Sequence, residues 1–588
     1  MEITKEKSVF DKAIDFHKAH NHKRAEKEYL RAIKQNPKNQ ELHRCLGILY
    51  CDMNKHSYSE KHFILAKNIG PDSYELNVSM GNSYLKQGLL LKSLKYFEQA
   101  AFFPNGKVDD KFGQANALKK LGRFEESEQK YLMLIKSCPS FLGAYLNLAN
   151  QYIDMKLYDA SFEILDKAIS LFPKNIEILK SHAVACKESG DFNSAAKYFK
   201  KIVEISPENY EAYNHLGVLF FENGYIEEAN YLLNKACNLN EKYAASYHNR
   251  ALNCIKMLDL KRAQNDLKVA IKLKSNYSEA KYTNGIVDLL QGEYVSGFKR
   301  LDERMRSLYD DDIKWCKALP SHKKVLIRTM KKLGLGDIVM YSMLFRDLYA
   351  IQKEIVIELD PRLKGLFERN FPFLNFMSAS ELSDMNISDE FKVQASIASI
   401  PKLINFNLDS FKPLETALKA KDEIYKNISK EYENRFGDSK LVGLAWHSTG
   451  AQGIFRSIPF KDLIQAIKPI DAQFISLQHG VERGSNELID DIFVDVKIDP
   501  MVNLEEYCAQ IANLDLVITI DNSTAHFAAA LGIKTILLLP FSPEWRWGLG
   551  SNGSNWYETI SIIRQEKTGD WSSALAKAYT LASNLLNN

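Results

Sequence analysis

Residues 142–173 read LGAYLNLANQYIDMKLYDASFEILDKAISLFP, and residues 176–207 read IEILKSHAVACKESGDFNSAAKYFKKIVEISP. The prolines that close them, Pro173 and Pro207, stand 34 residues apart. The same step links Pro37 to Pro71 and Pro139 to Pro173, and a double step joins Pro71 to Pro139, with Pro104 one residue early in the gap. Small and apolar residues keep fixed offsets before each proline: Ala25, Tyr29 and Ala32; Ser59, Phe63 and Ala66; Ser127, Tyr131 and Leu134; Ala195, Phe199 and Ile202. Ala229, Leu233 and Ala236, then Ala263, Leu267 and Ala270, hold the register after the prolines stop. Upstream of these sets runs a second stripe, Gly47 with Tyr50, Gly81 with Tyr84, Ala149 with Tyr152 and Gly217 with Phe220.

Two short antiparallel helices per unit account for the pattern, with small residues where the pair approaches closely and an aromatic ring filling the neighbouring gap. Gly88, Gly122, Gly190, Gly224 and Gly292 fall between the helices, where a turn needs a residue tolerant of positive φ. This resembles the tetratricopeptide repeat over residues 8–305, about nine units, and the resemblance implies an α-solenoid: a superhelix whose concave groove binds an extended peptide or another protein. The repeating Tyr and Phe positions are core. Asn147, Asn150, Asn214, Asn249 and Asn284 recur on the first helices, either as a ladder clamping a peptide backbone or as a solvated polar face.

The composition narrows the function classes. Across 588 residues, 77 Lys and Arg oppose 74 Asp and Glu for a net +3, so no global field draws the chain to nucleic acid or an anionic membrane, and anion sites must be local. Eight cysteines show no C-x-x-C pair and no zinc spacing, which predicts buried reduced thiols. The first residues, MEITKEKSVFDKAIDF, are charged rather than apolar, and no run approaches the ~20 apolar residues that span a bilayer. The expectation is a cytoplasmic protein without a membrane span.

After Arg304 the helical period ends. The stretch 306–322, with Asp310 and Asp312 spelling D-x-D, reads as a linker and solvated turn rather than a metal site. Apolar runs then alternate with helical segments: KVLIRT from Lys324, EIVIEL from Glu354, FKVQAS from Phe391, LVGLAW from Leu441, QFISL from Gln473, DLVITI from Asp515 and TILLL from Thr535. Such runs predict parallel sheets covered on both faces, arranged as two Rossmann-like lobes over 323–435 and 436–588 with a polar helix near Lys421–Asn434 between them. Ligands would bind at the carboxyl ends of the strands.

Four loops at those ends carry candidate chemistry. Lys331-Lys332-Leu333-Gly334-Leu335-Gly336-Asp337 precedes a helix expected from Ile338, and is either an anion-binding helix start or a tight turn. Asp521-Asn522-Ser523-Thr524-Ala525-His526 runs from strand to helix, and is either a diphosphate cradle or an Asp521 or Ser523 cap beside a core histidine. Arg456 in GIFRSIP is a phosphate fork or a surface charge. Trp545-Arg546-Trp547 could stack on a base or sugar while meeting an anion, or could pack between lobes.

The ordered set G-L-G-D, R-S-I-P, S-L-Q-H-G containing Gln478, D-N-S-T-A-H-F-A-A-A-L-G and P-x-W-R-W resembles glycosyltransferase family 9 and its heptosyltransferase relatives, and more closely the bacterial group that joins such a domain to tetratricopeptide repeats. The resemblance implies an α/β GT-B fold and metal-independent, inverting transfer of a sugar from a nucleotide-sugar substrate, with no cofactor. Asp337 takes the position of the general base. Gly334, Gly336, Arg456, Gln478, Asp521, Ser523, Thr524 and His526 take donor and phosphate positions. Asn522-Ser523-Thr524 departs from the turn usual in heptosyltransferases, which sets heptose aside as the expected donor. The arrangement is similar to O-linked N-acetylglucosamine transferases and flagellin glycosyltransferases, so the acceptor it implies is a Ser or Thr hydroxyl of a protein, flagellin or another surface protein. Two alternatives stay open: a non-catalytic repeat scaffold with a degenerate GT-B domain, and an enzyme acting on a carbohydrate or lipid-sugar acceptor.

Overall fold

The computed structural model describes residues 8–104, 108–306, 313–320, 323–329, 333–406, 411–413, 416–449, 453–479, 492–550 and 552–587. The acidic stretch Asp310–Asp312 and the lysines Lys331 and Lys332 lie outside these residues. The chain divides into two compact units, Met1–Glu208 and Asn209–Asn588.

In the first unit six helix pairs run from Val9–Lys18 to Phe192–Ile205. Asn21, Asn39, Ser73, Asn175 and Asp191 cap helix starts with side-chain oxygens. Gly88, Gly122 and Gly190 turn between paired helices at φ of 76°, 77° and 86°. The small-residue stripe has a steric cause: a Cβ on Gly47 would sit 2.9 Å from the Phe63 ring, and one on Gly113 would sit 2.2 Å from Phe97. Where serine replaces alanine it bonds the facing helix, Ser59 Oγ donating to the Gly47 carbonyl at 2.7 Å and Ser127 Oγ to that of Ala115 at 2.9 Å. Both of these buried hydroxyls therefore find an acceptor.

The second unit opens with three more helix pairs, from Tyr210–Glu222 to Tyr294–Arg306, and continues into two sheets. The first holds β1 (Lys314–Trp315), β2 (Val325–Arg328), β3 (Ile355–Leu359), β4 (Asn375–Ser378) and β5 (Val393–Ser396) in the order β1-β5-β2-β3-β4. The second holds β6 (Leu441–Ala445), β7 (Gln473–Ser476), β8 (Ile492–Phe493), β9 (Leu516–Ile520), β10 (Thr535–Leu539) and β11 (Ile560–Arg564) in the order β11-β10-β9-β6-β7-β8. Every pairing is parallel. Strand order reverses between β2 and β5 in one sheet and between β6 and β9 in the other, and such switch points open a crevice at the strands' carboxyl ends. The seven apolar runs all form strands. The stretch expected as linker also contributes one, β1, whose Lys314 and Trp315 pair with Val393 and Gln394.

The last helix pairs share a core with both sheets, in one apolar cluster running from Ala251 to Ile562. Phe298 stands edge-on to Trp545 at 5.5 Å and to Phe406 at 6.0 Å, and Phe406 stacks on Trp556 at 5.4 Å. Buried Asp302 accepts from Trp315 Nε1 at 3.1 Å and Ser399 Oγ at 2.6 Å and pairs with Lys402 at 2.5 Å. Ser542 Oγ donates to the Ile255 carbonyl at 2.9 Å. All eight cysteines are free thiols, seven of them buried. No described helix is long and apolar enough to cross a membrane.

The repeat helices run to Arg306, and the last of them share their core with the sheets. A fragment beginning at Asn209 should unfold cooperatively in a circular-dichroism melt, whereas one beginning at residue 307 loses Phe298 and Asp302 from its core and should precipitate or melt without a transition. A cooperative melt of the 307–588 fragment would show that the last helix pairs are dispensable to the sheets.

Candidate functional site

Three helices carry the site: α1 (Leu335–Ser342), α2 (Gly453–Arg456) and α3 (Ser523–Ala530). Helix α1 follows β2, begins three residues before the expected Ile338, and places Asp337 in its first turn. Helix α2 follows β6, and α3 follows β9 across the switch point. Between them lies a cavity of about 480 Å³ whose lining includes Gly334, Gly336, Asp337, Arg456, Gln478, Asp521, Ser523, Thr524, His526 and Arg546.

The helix starts are built for close approach. A Cβ on Gly336 would lie 2.6 Å from His526 Cδ2 and 3.2 Å from Ser523 Cα, so glycine lets α1 press on α3. Gly334 has no such constraint, a Cβ there meeting only Asp337 Oδ2 at 3.5 Å. The cap of α3 is Asn522, whose Oδ1 accepts from the Ala525 amide at 3.3 Å. Asp521 and Ser523 are thereby free of the capping role, and the Ser523 and Thr524 amides sit in the first turn, where no intrahelical acceptor exists. Ser523 is exposed. Thr524 Oγ1 is tied to Tyr507 Oη at 2.8 Å. Gln478 spends its side-chain oxygen on the backbone, accepting from the Trp446 and His447 amides at 3.2 and 2.9 Å, and so fixes the ends of β6 and β7.

Three carboxylates, Asp337, Asp521 and Glu544, line the cavity with Arg456 and Arg546, and a third cation, Lys256, lies near them. Arg546 bonds Asp337 and lies 4.0 Å from Asp521 Oδ1, while Arg456 approaches Asp521 Oδ2 at 3.6 Å. Trp547 Nε1 donates to Asp521 Oδ1 at 2.8 Å. Burial pushes the Asp521 carboxyl above its ordinary pKa against the pull of Arg546 and Arg456. Burial also presses on Glu544, but Arg546, Lys256 and Arg456 outweigh it and hold that carboxyl below the ordinary value. For Arg546 burial opposes the charge, yet Asp337, Asp521 and Glu544 raise its pKa. Arg456 Nε, Asp521 Oδ2 and Arg546 Nε are buried with no hydrogen-bond partner among the described residues.

The sequence did not point to Lys256, Tyr507, Glu544 or Tyr557. Lys256 ends a repeat helix and stands 4.8 Å over the Phe455 ring, which also meets Phe221 at 5.8 Å. Helix α2, and with it Arg456, is thus held by repeat side chains. Burial lowers the Lys256 pKa. His526 bonds Tyr557 Oη through Nδ1 at 2.9 Å and stacks on Trp547 at 5.0 Å. Burial and then Arg546 hold it well below the usual histidine pKa, so it offers the cavity a neutral ring.

Trp545 and Trp547 do not line the cavity. They are 4% and 1% exposed and pack in the core, the second of the two readings open for them, and of that triplet only Arg546 lines the cavity. In the repeats, Asn147 Nδ2 donates to Asn116 Oδ1 at 2.7 Å and Asn249 Nδ2 to Asn214 Oδ1 at 2.9 Å. Asn150 is exposed and Asn284 is buried.

Tetratricopeptide-repeat family models match residues 142–175 and 183–245. The chain is 22% identical to Protein FlbA of Caulobacter vibrioides over 499 residues, 79% of this chain and 82% of that one. That share exceeds the repeat helices, so the similarity continues into the sheets. It is 24% identical to Protein O-mannosyl-transferase TMTC3 of Homo sapiens over 350 residues, 58% of this chain but 34% of that one. The TPR repeat-containing protein YvcD of Bacillus subtilis is 24% identical over 311 residues, 52% of this chain and 55% of that one. A solved tetratricopeptide-repeat protein from Parabacteroides merdae aligns with 47% of this chain and 97% of its own at a TM-score of 0.34 and 19% identity.

The His526 environment sets a pH dependence. Below about pH 6.5 an unfolded imidazole takes up a proton that the folded one refuses, so stability falls as pH drops through that value. Part of the stability present at pH 7 is therefore lost by pH 5, and His526→Gln should diminish that loss. Denaturant titrations of both proteins at the two pH values measure it.

Proposed function

We propose that this protein is a GT-B-type glycosyltransferase, its second lobe holding a nucleotide-sugar and its first presenting the acceptor hydroxyl. The observation that carries this reading is the cavity at the switch points of two parallel sheets, lined by Asp337, the α3 start, Arg456 and Arg546. Helix amides and guanidinium forks are the donors a diphosphate requires, and the unmatched Arg456 Nε and Asp521 Oδ2 are bonds that a phosphate oxygen and a ligand hydroxyl would complete.

In the reaction the acceptor oxygen attacks the anomeric carbon from the face opposite the leaving group, and its proton passes to Asp337. The carbon–oxygen bond to phosphate breaks, and its electron pair leaves on the nucleoside diphosphate, which Arg456, Arg546 and the α3 amides stabilise. The configuration inverts, and the scheme uses no metal ion. A positioned base contributes about 10²–10⁴ in rate. The acceptor we infer is a Ser or Thr hydroxyl of a protein recruited by the repeats, a reading supported by the repeat helices and by the similarity to a protein named for O-mannosyl transfer.

Calorimetry of the full chain against UDP-, ADP-, GDP- and CMP-sugars should find one that binds. With that donor, Asp337→Asn should lower transfer by about 10²–10⁴, followed as mass gain on an acceptor protein, while donor binding persists. Full transfer by the variant would remove Asp337 from the mechanism, and binding of no donor would favour a scaffold.

A further inference from the structure

The mechanism asks Asp337 to accept a proton, but here its Oδ1 is held by the Arg546 guanidinium. The same guanidinium is 4.0 Å from Asp521 Oδ1, and its Nε is buried without a hydrogen-bond partner among the described residues. Arg546 sits in the turn Trp545–Trp547 after β10, whose two tryptophans are fixed in the core, so its backbone is anchored while its side chain lines the cavity. Asp521 is anchored as well, by the Trp547 indole. Arg456, Lys256 and Glu544 complete the charges around this pair.

We propose that Asp337 and the donor diphosphate compete for Arg546. Without donor, Arg546 bridges Asp337 and Asp521. With donor, it keeps Asp521 and gives its remaining donors to the phosphates, and the Asp337 carboxylate becomes available to the acceptor hydroxyl. A carboxylate oxygen that already accepts from a guanidinium is not free to accept from an incoming hydroxyl. A diphosphate is a stronger partner for the same fork, carrying more charge and more acceptor oxygens. The base is therefore masked until the leaving group is in place, which makes donor binding the first step. The inference rests on the donor reading above and adds the coupling between the two halves of the site.

Inorganic pyrophosphate is the probe, and calorimetry on the full chain the measurement, with wild type, Asp337→Asn, Arg546→Gln and the double variant. Competition predicts that Asp337→Asn tightens pyrophosphate about tenfold when Arg546 is present and less than twofold when it is Gln, the coupling expected of a close charged pair. Equal tightening in both backgrounds would mean that Asp337 acts only through its field, which overturns the competition and leaves the diphosphate site standing. Absence of pyrophosphate binding in every variant would overturn the donor reading itself. Should Arg546→Gln fail to fold in a circular-dichroism melt, Arg546→Lys replaces it. That variant keeps the charge without the fork, and the Asp337→Asn effect should then fall below about threefold; an undiminished tenfold effect would overturn the competition.

Discussion

The second unit depends on one aromatic seam. Phe298 comes from the last repeat helix, Phe406 from the segment after β5, and Trp545 and Trp556 from the loops around β10 and β11, and the rings meet edge-on or stacked. A ring edge on a ring face is favourable only in a narrow range of orientations, so the seam fixes direction as well as proximity. Three pieces of chain are brought together at one place, and the cavity is what remains between two of them. Trp545 and Trp547 flank Arg546, so the packing that joins the lobes also aims a cation into the space between them.

How much of this was readable follows from the kind of signal each element leaves. The repeats and seven strands were legible because burial on both faces forces apolar runs and fixed periods. Of the other four, β1 and β8 have two residues each and β4 reads NFMS, so none of these carries a run long enough to register, while β11, ISIIR, carries an apolar run that was not among the seven. Most of the cavity lining was legible too, since loops between strand and helix announce themselves by glycine and small polar residues. The triplet Trp545-Arg546-Trp547 shows where reading fails. Its 3₁₀ turn, with about three residues per turn, points three side chains in three directions, and sequence does not say which one meets solvent. Tyr507 reaches the cavity, and Lys256 the charges beside it, from elsewhere in the chain, and neither leaves a local pattern.

The charge balance is also clearer in space than in composition. A nearly neutral chain gathers Asp337, Asp521, Glu544, Arg456, Arg546 and Lys256 around one cavity. Charges withdrawn from water are costly unless paired, and breaking one pair strands its partner. Neighbouring opposite charges hold Glu544 and Arg546 in their ionised forms, while burial pulls Asp521 and Lys256 toward their neutral forms. An anion entering such a site meets cations already positioned and needs to move only side-chain ends.

Some of the recurring repeat asparagines already bond one another. Asn249 donates to Asn214, so part of each amide's bonding capacity is already satisfied within the repeats. A polypeptide laid along these residues trades an existing hydrogen bond for a new one, and such an exchange contributes little net free energy. Its grip would come from register, from how many amides it matches at the repeat spacing, rather than from any single contact. Surfaces of that kind discriminate by spacing more than by the chemistry of one contact.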